Sequence, residues 1–104
     1  MENFEIIVNN VHKKGNYKNL HEALILNGFF KSHLLKDIIY KVNGGKKEKF
    51  VKKIEIIANS KGTGIWYENK IGCELEVFPS QHEKNIYNCL EGYGKIHIKD
   101  FKFL

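Results

Sequence analysis

The chain has 104 residues, 42% of them hydrophobic and 28% charged, with a formal net charge of +5 in which all 17 basic residues are lysine. That length fits one domain with a modest core, burying roughly 60–70% of the unfolded chain's surface, and no apolar run approaches the roughly 18 residues of a membrane-spanning helix. Met1-Glu2-Asn3-Phe4 lacks the basic segment and apolar run of a secretory leader, so the expectation is a soluble, cytoplasmic protein.

Phe4-Glu5-Ile6-Ile7-Val8 is short, β-branched and bounded by Asn9-Asn10, which predicts a strand that packs on or extends a later sheet. Val11 to Asn16, with Gly15 and two lysines, reads as a loop. Asn19 then offers a polar cap, Glu22 an acidic residue in the first turn, and Asn27-Gly28 a stop, so a short helix is predicted across Leu20, Ala23 and Leu24.

Ser32 caps a second segment in which Leu34, Leu35, Ile38, Ile39 and Val42 recur at helical intervals, and Asn43-Gly44-Gly45 ends it. The preferred reading is a second helix. Asn43-Gly44 is also a hairpin signal, which leaves two strands, Ile38–Val42 and Lys49–Ile57, as the alternative. Two helices around Gly28 invite a helix-turn-helix reading, but Phe29-Phe30 occupies the turn and the second helix carries no arginine.

Positive charge concentrates here. Residues 31–53 hold eight lysines against Asp37 and Glu48, a net +6, and the remainder of the chain sums to −1. Such a segment suits an acidic partner or a phosphate backbone. Lysine lacks the planar fork that grips guanine, so sequence-specific DNA reading is disfavoured. A compositional explanation stands beside the functional one: Lys, Asn, Ile, Phe and Tyr are all abundant, and lysine then fills surface positions.

From Phe50 the pattern becomes that of strands. Asn59 to Gly64 is a Gly-rich loop without the Gly-Lys-Ser/Thr ending of a phosphate cradle. Ile65 to Gly72 forms the arm of a long loop. Cys73, Leu75 and Val77 alternate with Glu74, Glu76 and Phe78, predicting a half-buried strand that Pro79 ends. After the break Pro79-Ser80-Gln81-His82-Glu83 come Asn85–Leu90, then Lys95–Lys99 beyond the turn Glu91-Gly92-Tyr93-Gly94, then Asp100–Leu104. Short strands at about ten-residue spacing predict a small barrel. Cys73 and Cys89, the two cysteines, are expected as free buried thiols, with one disulfide across adjacent strands as the alternative.

Trp66-Tyr67, Lys70-Ile71-Gly72, Leu75-Glu76-Val77, Tyr87 and Ile98-Lys99-Asp100-Phe101 together resemble short proteins of phages and other mobile elements of Gram-positive bacteria, which look like Src homology 3-like small barrels. The resemblance covers the last half of the chain and implies a source and a fold, not a reaction. The expected architecture is therefore α+β in a single domain, 1–104. A C-terminal Src homology 3-like small β-barrel, 54–104, follows an N-terminal strand and short helices, 1–53.

Catalytic patterns are weak. His12, His21, His33, His82 and His97 are scattered without metal-ligand spacing, so no metal or other cofactor is expected. Cys89 with His97 would need an orienting group to act as a nucleophile. Glu74 and Glu76 share one side of a strand and read as a solvated face. The expectation is a non-enzymatic accessory protein that binds and blocks a host or defence macromolecule, its basic segment facing an acidic surface. Low-specificity nucleic-acid binding is the alternative. The expected contact residues are Lys46, Lys47, Lys49, Lys52 and Lys53, with Trp66, Tyr67 and Tyr93 as candidate aromatic contacts. For Trp66 a place in the core competes with a place on the binding surface.

Overall fold

The computed structural model describes residues 1–60, 65–92 and 94–104. The chain divides into two compact units, Met1–Val51 and Lys52–Leu104, each with its own antiparallel sheet. The division falls two residues before the internal boundary read from the sequence. The class is mixed α+β, mostly strand with one helix among the described residues.

In the first unit β1 (Glu2–Val8) and β2 (Val11–Tyr17) form a hairpin. Asn9 and Asn10 make its two-residue turn with φ of 49° and 66°, the left-handed conformation that asparagine tolerates better than most residues. Alternation then sorts β1, sending Phe4, Ile6 and Val8 into the core while Glu5 and Ile7 stay half-buried on the other face. Burying three side chains of that size contributes about 1.5–3 kcal/mol each. The hairpin corrects the loop expected over Val11–Asn16.

Helix α1 (Leu20–Leu26) starts where the sequence predicts. The Asn19 side chain accepts from the Glu22 amide at 2.8 Å, and the Glu22 carboxylate reaches back to accept from the Lys18 amide at 2.7 Å. The first contact satisfies a donor that the first helical turn leaves open, and the second ties the residue before the cap to that turn. At the other end the Asn27 side-chain amide donates to the Ala23 carbonyl and to the Tyr17 hydroxyl, tying α1 to β2. Ala23, Leu24 and His21 face inward, and the His21 ring lies 5.5 Å from Phe30 and 5.8 Å from Phe50.

The second helix expected from Ser32 to Val42 is replaced by one 3-10 turn at Leu35–Asp37 followed by β3 (Ile39–Val42). Strand β3 pairs with the free side of β1, and β4 (Glu48–Lys49) pairs with β3, giving the order β2-β1-β3-β4. Asn43 and Gly44, with φ of 52° and 72°, turn the chain. The Asn43 amide donates to the Asn3 carbonyl at 2.7 Å while its side chain accepts from the Asn3 amide at 2.9 Å. Exchanging bonds with the middle of a sheet outweighs the helical spacing of the same apolar residues.

The second unit is a five-stranded sheet of β5 (Lys52–Ile56), β6 (Glu74–Pro79), β7 (Ile86–Cys89), β8 (Lys95–His97) and β9 (Phe101–Phe103), in the order β8-β7-β6-β5-β9. A 3-10 turn, Ile98–Asp100, carries the chain from one edge strand to the other. The edges of a flat five-stranded sheet would stand about 19 Å apart, whereas one such turn spans only about 6–8 Å. The sheet therefore curls, and its form is a half-barrel. Ile54, Ile56, Tyr67, Val77, Cys89, Ile96 and Phe101 fill its core.

Candidate functional site

Of the expected contact lysines, Lys46 and Lys47 are exposed in the turn between β3 and β4, and Lys49 is exposed on β4 opposite Ile39. All three belong to the first unit. Lys52 and Lys53 lie on β5 of the second unit and have other occupations. The Lys52 ammonium sits 5.2 Å from the centroid of the Phe103 ring, a cation–π contact. Lys53 is paired with Glu74 at 3.0 Å.

The aromatic residues are built on one hydrogen-bonded assembly. Asp100 is fully buried at the end of the 3-10 turn. Its carboxylate accepts from the Ser60 amide at 2.9 Å, from the Ser60 hydroxyl at 3.0 Å, and from the Tyr67 hydroxyl. Its backbone carbonyl accepts from the amides of Ile57 and Ala58. One residue thus holds the start of the long loop and, through Tyr67, its returning arm. That arm then rejoins β5, where the Gly72 amide donates to the Ile56 carbonyl at 2.7 Å and the Ile56 amide donates to the Cys73 carbonyl at 3.0 Å.

Burial by itself raises the Asp100 pKa, but the hydrogen bonds from Tyr67 and Ser60 and the nearby His97 outweigh it, leaving the carboxyl below its ordinary value. The opposite holds for Tyr67. Burial first, then the bond to Asp100 and its negative charge, push the phenol up to about 12. Asp100 is thus held as a carboxylate and Tyr67 as a phenol at neutral pH. Tyr67 is only 2% exposed, which corrects its expected place on the binding surface: its ring belongs to the core and its hydroxyl is committed to Asp100.

Trp66 stands next to that anchor and is half-buried. Its indole N–H donates to the Lys95 carbonyl at 2.7 Å, and its ring meets Tyr67 edge-on at 5.1 Å. Gly94, at φ 110°, lies against the indole, where a Cβ would come within 3.4 Å of the ring. Trp66 is thus both packed and partly open. Together with Ile65 and Ile86 it walls an open groove of about 430 Å³, with Glu83, Lys95 and His97 at the polar margin. Glu83 and Lys95 form an ion pair, and the His97 ring Nδ1 accepts from the Lys99 amide at 3.1 Å. Tyr93 and the Gly62-Thr63-Gly64 part of the long loop lie outside the described residues.

Cys89 is buried and Cys73 is exposed, both as free thiols, which corrects the burial expected of Cys73. Burial pushes the Cys89 thiol up to about 11. It is therefore protonated at neutral pH, the reverse of the state a nucleophilic cysteine needs. Glu74 and Glu76 line a small pocket of about 100 Å³ with Lys53, Cys89 and Glu91. Among the described residues no group of three or more His, Cys, Asp or Glu side chains is placed to hold a metal ion, and no helix is long and apolar enough to cross a membrane.

The reading of the sequence missed Ser60 and the role of Asp100. The available signal was a single acid, Asp100, between Ile98 and Phe101, in a segment otherwise fit for the core. Comparison with protein-family models, with curated proteins and with solved structures found no match.

Proposed function

We propose that the protein is a non-enzymatic binding module of the phage or mobile-element type its C-terminal residues resemble, and that it blocks a host or defence macromolecule by presenting lysines to an acidic surface. The observation that carries this reading is the exposure of Lys46, Lys47 and Lys49 within one short turn and strand, with Glu48 half-buried between them. Lys52 and Lys53 already have partners within the second unit, an aromatic ring and a carboxylate, so the proposal rests on the first three lysines. The curled sheet whose edge strands are joined by a one-turn helix supports the Src homology 3-like reading of the second unit.

The test is capture of a stoichiometric partner from a Gram-positive host lysate by the intact chain, compared with the triple variant Lys46→Glu, Lys47→Glu, Lys49→Glu. Loss of the partner on charge reversal supports the proposal, and equal capture overturns it.

Low-specificity nucleic-acid binding remains a second reading because register puts Lys14 and Lys41 on either side of Glu5, and Lys49 opposite Ile39, on one face of the first unit's sheet. Oligonucleotide titration at two salt concentrations separates the two, since neutralised phosphates produce a steep salt slope.

A further inference from the structure

Strand β2 is an edge of the first unit's sheet, seven residues long, and paired on one side only among the described residues. Its length is unusual for an edge without a covering partner strand, since edges of this size are templates for another chain. Val11, His12, Lys13, Lys14 and Asn16 are all exposed, and the strand contains no acidic residue.

The hydrogen-bond parity of the sheet shows which backbone groups face outward. Asn3 gives its backbone amide and carbonyl to Asn43 on the β3 side. Its partner across the hairpin is Asn16, and antiparallel ladders alternate bonded and non-bonded pairs. Asn16, Lys14 and His12 therefore point their amides and carbonyls away from β1, whereas Val11, Lys13 and Gly15 point theirs toward it.

A second copy of the chain meets charge repulsion in two of the three most fully overlapped registers of this edge. The fully overlapped antiparallel register of β2 with itself sets Lys14 directly opposite Lys14, and the register shifted to centre on Lys13 sets Lys13 opposite Lys13. Like charges directly opposite destabilise a strand pair. The same lysines, projecting to the two faces of the sheet, complement an incoming strand that carries carboxylates on both.

We propose that the β2 edge accepts an extended, acidic segment of a partner protein as a fifth strand, with backbone bonds to His12, Lys14 and Asn16 and carboxylates beside Lys13 and Lys14. The proposal goes beyond the reading of Lys46, Lys47 and Lys49 and uses none of them, so reversing those three charges leaves it testable.

The experiment titrates the full chain with a capped seven-residue peptide of Val, Thr and Glu, carrying Glu on both faces, and follows each amide by NMR hydrogen exchange. Binding should slow exchange at His12, Lys14 and Asn16 and leave Val11, Lys13 and Gly15 unchanged. The same peptide with Lys in place of Glu should fail to bind. Lys14→Pro, which removes an outward donor from an edge strand where proline is tolerated, should abolish the protection. If that variant does not fold, the double variant Lys13→Glu, Lys14→Glu serves in its place, with affinity falling about tenfold. Absence of binding, protection that does not alternate along β2, equal binding of the lysine peptide, or self-association through β2 would each overturn the proposal.

Discussion

The hydroxyl of Tyr67 donates to the carboxylate of Asp100, and both groups are buried in the second unit. This bond joins the returning arm of the long loop to the turn that links the two edge strands. Removing the phenol hydroxyl leaves the carboxylate with Ser60 alone, and removing the carboxylate takes from Tyr67 its side-chain acceptor, both in a place water does not reach. Tyr67→Phe and Asp100→Asn are each expected to lower stability by about 1–3 kcal/mol, measured by denaturant unfolding. A loss below a few tenths of a kcal/mol in both would contradict the assembly.

The same pair sets a pH dependence at both ends of the scale. The Asp100 pKa is depressed on folding, so its contribution is present above the ordinary carboxylate value and is lost as pH falls through the folded one. The Tyr67 pKa is raised from 10.0 to about 12, so its contribution is present below 10 and is lost as pH rises toward 12. Unfolding free energy measured against pH should fall at both ends. Tyr67→Phe should flatten the alkaline fall, and Asp100→Asn the acidic one.

Gly94 combines a φ of 110° with close approach to the indole of Trp66. Gly94→Ala asks a side chain to take a left-handed conformation and sets a methyl group against the ring, at a cost of about 1–2 kcal/mol. Trp66 is the one tryptophan in the chain. Its fluorescence should therefore shift in this variant at denaturant concentrations where the sheet is still folded, and an unchanged spectrum would show that the indole does not rest on Gly94.

The two thiols should separate cleanly. Cys73 is exposed, and Cys89 is buried with its pKa pushed up to about 11. A thiol reagent at neutral pH should label one cysteine per native chain and two per unfolded chain, with mass spectrometry placing the first label on Cys73. Native labelling of Cys89 would contradict its place in the core.

What the sequence revealed depended on how much burial each element carries. Strand β1 alternates because one face is buried, β6 to β9 show as short apolar runs between turn signals, and α1 announces itself through Asn19, Glu22 and Asn27. Strand β2 was illegible as a strand because Val11 to Lys14 are exposed on both faces, so no alternation marks them. Strand β3 was read as helix because Leu34, Leu35, Ile38, Ile39 and Val42 fit both spacings, and the left-handed Asn43-Gly44 turn decided the matter. The lysines were visible as a segment, but the partners that Lys52 and Lys53 find, Phe103 and Glu74, lie far away in the sequence.

Lys46, Lys47 and Lys49 are exposed, so reversing their charges should change stability by less than about 0.5 kcal/mol. Thermal unfolding of the triple variant checks this, and it makes any loss of binding a statement about the surface.

The most direct test of the account is the affinity of the captured partner for the intact chain and for that triple variant, at about 50 and about 200 mM salt. The account predicts binding that weakens with salt in the intact chain and is largely lost in the variant even at low salt. Binding that is equally tight in both proteins and indifferent to salt would contradict it.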